Sequence, residues 1–381
     1  MNVRRCMRFT VFALFAVAVV SVVAGCSTGT GEEAATEPAS NAEPRTEGAE
    51  PPVDCLARPD ECSLADVARQ AGFLVGAATD SDLIDDPAYA DVLAAEFNSL
   101  TAEREMKWQD LQPARGEFDF AGADEVVDFA RANEMEVKGH TLLWAQQFID
   151  ATPDWVEEIT DPAELRAVMR AHFAEVLGHF GDSVDRWDVV NEPLETLGTG
   201  VYDNHFRQVL GDGYIDEAFL LADELAPDTR LFINEAAVEN SPQKAEALYQ
   251  LVSAMVQRGV PIDGVGLQGH FLGDLPAPGS IEALLSRFGD LGLEVAITEL
   301  DVVTPPSGPD PQAQAGHYEQ VVSECIAAGC REVTVWGVHD AQSWLDDFLN
   351  RDNTDPLLFD DELEPKAAYD STKRAIAGSA G

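Results

Sequence analysis

From residue 64 onward, short runs of apolar and β-branched residues alternate with longer stretches in which apolar positions recur every three or four residues. The short runs predict eight strands: "FLVGAAT" (73–79), "FNSLTAE" (97–103), "VKGHTLLW" (137–144), "RWDVVNE" (186–192), "RLFINE" (230–235), "GVGLQGH" (264–270), "EVAITELD" (294–301) and "EVTVWGV" (332–338). The stretches between them, among them 124–135, 164–180, 214–226, 243–259 and 281–292, predict amphipathic helices. Regular strand–helix alternation implies a parallel sheet, and eight such units fit a closed (β/α)8 TIM barrel forming a single domain. An open doubly wound sheet is the competing arrangement. Against it, "GFLVGAATDSD" carries no Gly-rich phosphate-binding turn after the first strand.

The polar residues sharpen this picture, because each predicted strand begins apolar and ends in chemistry. The second ends in Glu103, and the third carries His140 and runs on to Trp144 and Gln147. The fourth ends in Asn191-Glu192 and the fifth in Asn234-Glu235. The sixth ends in Gln268 and His270, the seventh in Glu299 and Asp301, and the eighth runs into Trp336, His339 and Asp340. A single glutamate at a strand end is most often a loop or helix-capping residue. Six or seven strands sharing the habit is different, because all C-terminal ends of a parallel barrel open on one face, where active sites lie.

The residue types narrow the chemistry. There is no GxSxG elbow for a serine nucleophile and no HExxH for zinc, and nothing in the sequence calls for a cofactor. Carboxylates surrounded by amides, histidines and indoles suit a sugar: amides bind hydroxyls, indole faces stack on pyranose rings, and two carboxylates can cleave a glycosidic bond.

The segments "TAEREMKW", "FARANEMEVKGHTLLW", "WDVVNEP", "LFINE", "GVGLQGH", "AITELDV", "VTVWGVHDAQSW" and "LLFDDELEPKAAYD", in this order, resemble glycoside hydrolase family 10, the retaining β-1,4-xylanases with a (β/α)8 barrel. The resemblance runs from about residue 64 to 378. It implies that Glu192 is the acid/base and Glu299 the nucleophile. Asn191 then binds the 2-hydroxyl of the sugar being cleaved, Gln268 and His270 bond to the catalytic carboxylates, and Asp301 stands behind His270. Glu103, Lys107, His140, Trp144, Gln147, Trp336 and Trp344 match the walls of the glycone subsites, and Cys325 and Cys330 match a disulfide. A retaining pair is expected to sit ~5–5.5 Å apart. In that arrangement Glu299 stays ionised, and its charge helps keep Glu192 protonated.

The chain departs from the family at Arg104, Ala145, Ala236, His339 and Leu345, where Asn, His, an aromatic, a smaller residue and Arg are usual. Arg104 reads either as a contact for an acidic branch on the polymer or as an internal ion pair with Glu103 or Glu105. Related barrel glycosidases on other β-glycans, and a weakly active surface protein that binds xylan, are the competing functions.

Residues 1–25 change where this domain is expected to work. "MNVRRCMR" is basic, "FTVFALFAVAVVSVV" is an apolar run of signal-peptide length, and "VAGC" places small residues before Cys26. This resembles a bacterial lipoprotein signal, cleaved before Cys26, with lipid on its thiol and new amine; an ordinary secretory signal is the alternative. Residues 26–52 are poor in large apolar side chains and read as a disordered acidic tether; the catalytic domain is then 53–381. Export permits disulfides, and the short spacings suggest Cys55–Cys62 and Cys325–Cys330.

The formal net charge of −45, from 69 acids and 24 bases, repels nucleic acid and anionic lipid. The acids are spread along the chain and not clustered, as expected of a solvated surface suited to high salt; binding of cations or basic polymers is the competing reading. The partner expected is xylan or xylo-oligosaccharide, bound by a monomer that meets the membrane only through its lipid.

Overall fold

The computed structural model describes residues 53–146, 151–273, 275–304 and 310–378. All eight expected strands are present. β1 (Leu74–Thr79), β2 (Ser99–Ala102), β3 (Glu136–Leu143), β4 (Arg186–Asn191), β5 (Arg230–Glu235) and β6 (Gly264–Leu267) are followed by a two-residue strand, β7 (His270–Phe271). β8 (Glu294–Val302) and β9 (Glu332–Val335) complete the sheet. Neighbouring strands pair in parallel in chain order, β1 pairs with β9, and β6 pairs directly with β8, which closes an eight-stranded barrel. Closure buries both faces of the strands, so their sequences read as nearly continuous apolar runs.

The helices between strands start where the chain dictates. Those spanning Pro87–Glu96, Pro162–Phe180, Pro242–Arg258 and Pro311–Ala327 each have proline in the first turn, preceded by Asp86, Asp161, Ser241 or Asp310. The side chain of each of these four accepts a backbone N–H of the first turn. Proline there loses a donor that has no intrahelical partner anyway, and the cap satisfies another.

Two expectations are corrected. The sixth strand, read as 264–270, breaks at Gly269, whose φ of +79° turns the chain before β7 pairs with β8. Nor does every strand begin apolar. Arg186, at the start of β4, is buried, bonding to Glu136 at 3.1 Å and to Glu332, while Arg230 pairs with Glu136 and Glu294. A cavity of about 900 Å³ opens at this N-terminal end. Of the acids lining it, Glu136 and Glu294 pair with Arg230 and Glu332 pairs with Arg186, which suits a structural ion-pair network.

Both expected disulfides are formed, Cys55–Cys62 and Cys325–Cys330. The second closes the turn between the helix Pro311–Ala327 and β9. No helix among the described residues is long and apolar enough to cross a membrane. The expected signal, tether and lipidated Cys26 within residues 1–52, and Gln147, lie outside the described residues.

Candidate active site

At the C-terminal rim the strand ends converge on Glu192 and Glu299. Glu299 lies inside β8 and is almost wholly buried. Its Oε1 accepts Asn234 Nδ2 at 2.7 Å and its Oε2 accepts His270 Nε2 at 3.1 Å. His270 Nδ1 donates to Asp301 Oδ2 at 2.9 Å, and Trp344 Nε1 donates to the same oxygen at 3.0 Å. With a carboxylate on each ring nitrogen, His270 is held as an imidazolium. Burial works against its charge, but Asp301 and Glu299 win, and its pKa is raised well above the usual histidine range. Burial would also push Glu299 up. The His270 hydrogen bond overcomes it, helped by His140, His270 and Lys138, and holds the carboxyl down at about 2.

Glu192 lies one residue beyond β4 and has the opposite electrostatics. Its Oε1 accepts Gln268 Nε2 at 2.9 Å and its Oε2 accepts Trp144 Nε1 at 3.3 Å. Burial raises its pKa, the Gln268 bond offsets part of the rise, and the negative Glu299 adds to it. The two carboxyl groups are thus pushed in opposite directions, Glu299 toward the ionised form and Glu192 toward the protonated one, which is how acid and base assignments are separated in a shared site.

Amides join the two glutamates. Gln268 Nε2 also reaches Asn191 Oδ1 at 3.5 Å, and that oxygen accepts Asn234 Nδ2 at 2.9 Å. Thr298 Oγ1 donates to Asn234 Oδ1 at 2.7 Å, which fixes the Asn234 amide with its nitrogen toward Asn191 and Glu299. Gly266 makes room for it: a Cβ there would lie 2.4 Å from Asn234 Oδ1. The buried Asn191 Nδ2 has no partner among the described residues, which leaves a donor for a ligand hydroxyl.

The other expected site residues surround this pair. His140 Nδ1 bonds Asp188 Oδ2 at 2.8 Å, and its ring meets Trp336 and Trp144 edge-on, with centroids 5.4 and 6.0 Å away. Trp344 meets His270 edge-on at 5.0 Å. Lys107 Nζ lies 5.0 Å from the Trp144 ring, and burial pulls its pKa down against the attraction of Glu103 and Glu299. Burial, with the charge of Asp80, pushes Glu103 up to about 7.

The chain belongs to glycosyl hydrolase family 10. The family's sequence pattern matches residues 63–375. A β-1,4-xylanase of Dictyoglomus thermophilum is 38% identical over 296 residues, covering 74% of this chain and 82% of that protein. An exoglucanase XynX of Acetivibrio thermocellus is 36% identical over 316 residues, 78% of this chain and 28% of that one. Among solved structures, native xylanase 10B from Thermotoga maritima superposes with a TM-score of 0.77 at 31% identity, covering 84% of this chain and 99% of that one.

Against that family background the departures separate into two kinds. Leu345 is fully buried at the start of the helix Leu345–Leu349, and His339 is buried edge-on to Tyr89, 5.9 Å between centroids. Ala145 is buried, and Ala236 is half-buried beyond β5. Arg104 bonds Asp80 Oδ2 at 2.8 Å, with Glu105 Oε1 3.8 Å away, so its ion pair is internal but its main partner is a residue not foreseen.

Sequence reasoning noticed Asn234 at a strand end but gave it no role, and passed over Gln146, Lys138 and Asp188. For Asn234 the signal was available: "VVNEP" and "FINEA" end neighbouring strands on the same amide–acid pair. Lys138 Nζ, 2.7 Å from Asp188 Oδ2, belongs to a buried ion pair within apolar runs that gave no warning of it.

Proposed function

We propose that this family 10 hydrolase cleaves internal β-1,4-xylosidic bonds of xylan with retention, Glu299 acting as nucleophile and Glu192 as acid/base. The observation that carries the reading is a pair of carboxyl groups in opposed settings on one barrel rim, Glu299 bonded to His270 and Asn234 and Glu192 bonded, among the described residues, only to the neutral donors Gln268 and Trp144. Glu299, ionised, attacks the anomeric carbon while Glu192 gives its proton to the departing oxygen. The covalent glycosyl-enzyme that results has lost the Glu299 charge. The Glu192 pKa then falls, and its carboxylate takes a proton from the water that attacks the same carbon and releases Glu299. The free Asn191 amide supplies a donor for a sugar hydroxyl, and Trp144, Trp336 and Trp344 offer faces for pyranose rings.

Sugar release from xylan by wild type and Glu299→Gln tests this. Turnover by wild type alone is expected; equal silence with binding retained would leave a xylan-binding protein. The relative named as an exoglucanase makes a glucan the second substrate to try, and a panel of β-glycans decides between them.

The chain is further proposed to be exported as a monomer and anchored by lipid on Cys26. "VAGC" and the two disulfides support this, since structural disulfides belong to oxidising compartments. Incorporation of labelled fatty acid into wild type, and its loss in Cys26→Ala, is the expected result.

A further inference from the structure

Glu192 stands in an unusual backbone conformation. Its φ is +50°, in the left-handed region that residues with a Cβ seldom occupy, and Pro193 follows it, which disfavours that region further. Such a residue persists only where its surroundings over-determine it. Two groups that make no hydrogen bond or ion pair to either catalytic carboxyl group do so here. Gln146 Nε2 donates to Glu192 O at 3.1 Å and to Leu194 O at 3.2 Å, so one buried amide brackets Pro193. From β5, Glu235 Oε2 accepts the Leu194 N–H at 2.9 Å.

Glu235 is fully buried, and an unpaired charge there would be costly. Lys244, on the helix Pro242–Arg258, answers it: its Nζ lies 3.0 Å from Glu235 Oε1 and 3.4 Å from Thr196 O. We propose that Gln146 and the Glu235–Lys244 ion pair are positioning residues that hold the left-handed turn at Glu192, and thereby the aim of its carboxyl group at the leaving oxygen. The inference rests on Glu192 being the acid/base.

Loss of aim at a proton donor has a signature that general destabilisation lacks. Aryl xylobiosides with good leaving groups need no proton to depart; those with poor leaving groups do. The variants are Gln146→Leu, and Glu235→Gln with Lys244→Met, which removes both charges at nearly constant volume. In each, kcat/KM is expected to fall on the order of tenfold or more further on the poor leaving group than on the good one. Azide, a nucleophile that needs no base, is expected to restore turnover and give a glycosyl azide. The ratio is taken on one preparation, so it does not depend on the fraction folded, and Gln146→Leu carries the test if the double variant fails to fold. Equal losses on both substrates without azide rescue would overturn the proposal. Glu192→Ala is the control: if it too shows neither signature, the acid/base assignment itself falls; if it shows both, only the positioning role does.

Discussion

Asn234 Nδ2 lies 2.7 Å from Glu299 Oε1, and the same nitrogen lies 2.9 Å from Asn191 Oδ1. One amide therefore orients the proposed nucleophile and the group placed to bind the sugar. Removing a hydrogen bond to a charged group costs about 1.5–3 kcal/mol, or about 10–100-fold. Asn234→Ala is expected to lower kcat/KM on xylo-oligosaccharides by that factor. Asn234→Asp places a second carboxylate beside Glu299 and should also move the acid limb of the pH–rate curve upward. An Asn234→Ala enzyme indistinguishable from wild type would show the contact to be idle.

The pH dependence follows from the two glutamates. The proposed roles require Glu299 ionised and Glu192 protonated. The acid limb of kcat/KM should therefore reflect a group near 2, and the alkaline limb the raised Glu192. Glu299→Gln removes an anion whose charge raises Glu192, so Glu192 should titrate lower in that variant than in wild type. Carbon-13 NMR of labelled glutamate reads this directly, and an unchanged or higher value would contradict the assignment.

How far the sequence carried is visible at particular residues. The barrel was legible because eight apolar runs alternate with amphipathic stretches of helical length, and most of the runs end in polar groups, which a parallel barrel gathers on one face. That Glu192, Glu299, Gln268, His270 and Asp301 would meet was legible from their places at strand ends, while the roles proposed for them come from the family resemblance. Lys138 and Asp188 were not, since they point into the barrel from the middle of apolar runs, and their pairing exists only after β3 and β4 come together. Gln146 was hidden because its role is to hold backbone carbonyls, which leave no trace in side-chain patterning. The break at Gly269 was missed because, of the three glycines in "GVGLQGH", the sequence does not show which one takes a positive φ.

Surface charge gives a salt prediction. Exposed pairs such as Arg166–Glu217 and Arg258–Asp216 use up bases that are already scarce, and the formal net charge remains −45. At 1 M salt the screening length drops to about 3 Å, which relieves the repulsion among the remaining acids. The unfolding temperature is expected to rise steadily with NaCl from low salt to about that concentration. A fall over the same range would count against adaptation to salt.

Arg104 is the last point to settle by experiment. Its guanidinium is bonded to Asp80 and lies near Glu105, so most of its charge is answered within the protein. It also restrains Glu103, whose pKa it lowers against burial and Asp80. Replacing it by asparagine removes that restraint, and Glu103 should rise above its present value of about 7. Glu103 belongs to the expected sugar-binding wall, so the change should appear in KM near neutral pH more than in kcat. Because the Arg104 charge is engaged internally, plain and glucuronate-substituted xylan should be affected equally. A loss confined to the substituted polymer would instead show that Arg104 leaves Asp80 to meet the acidic branch.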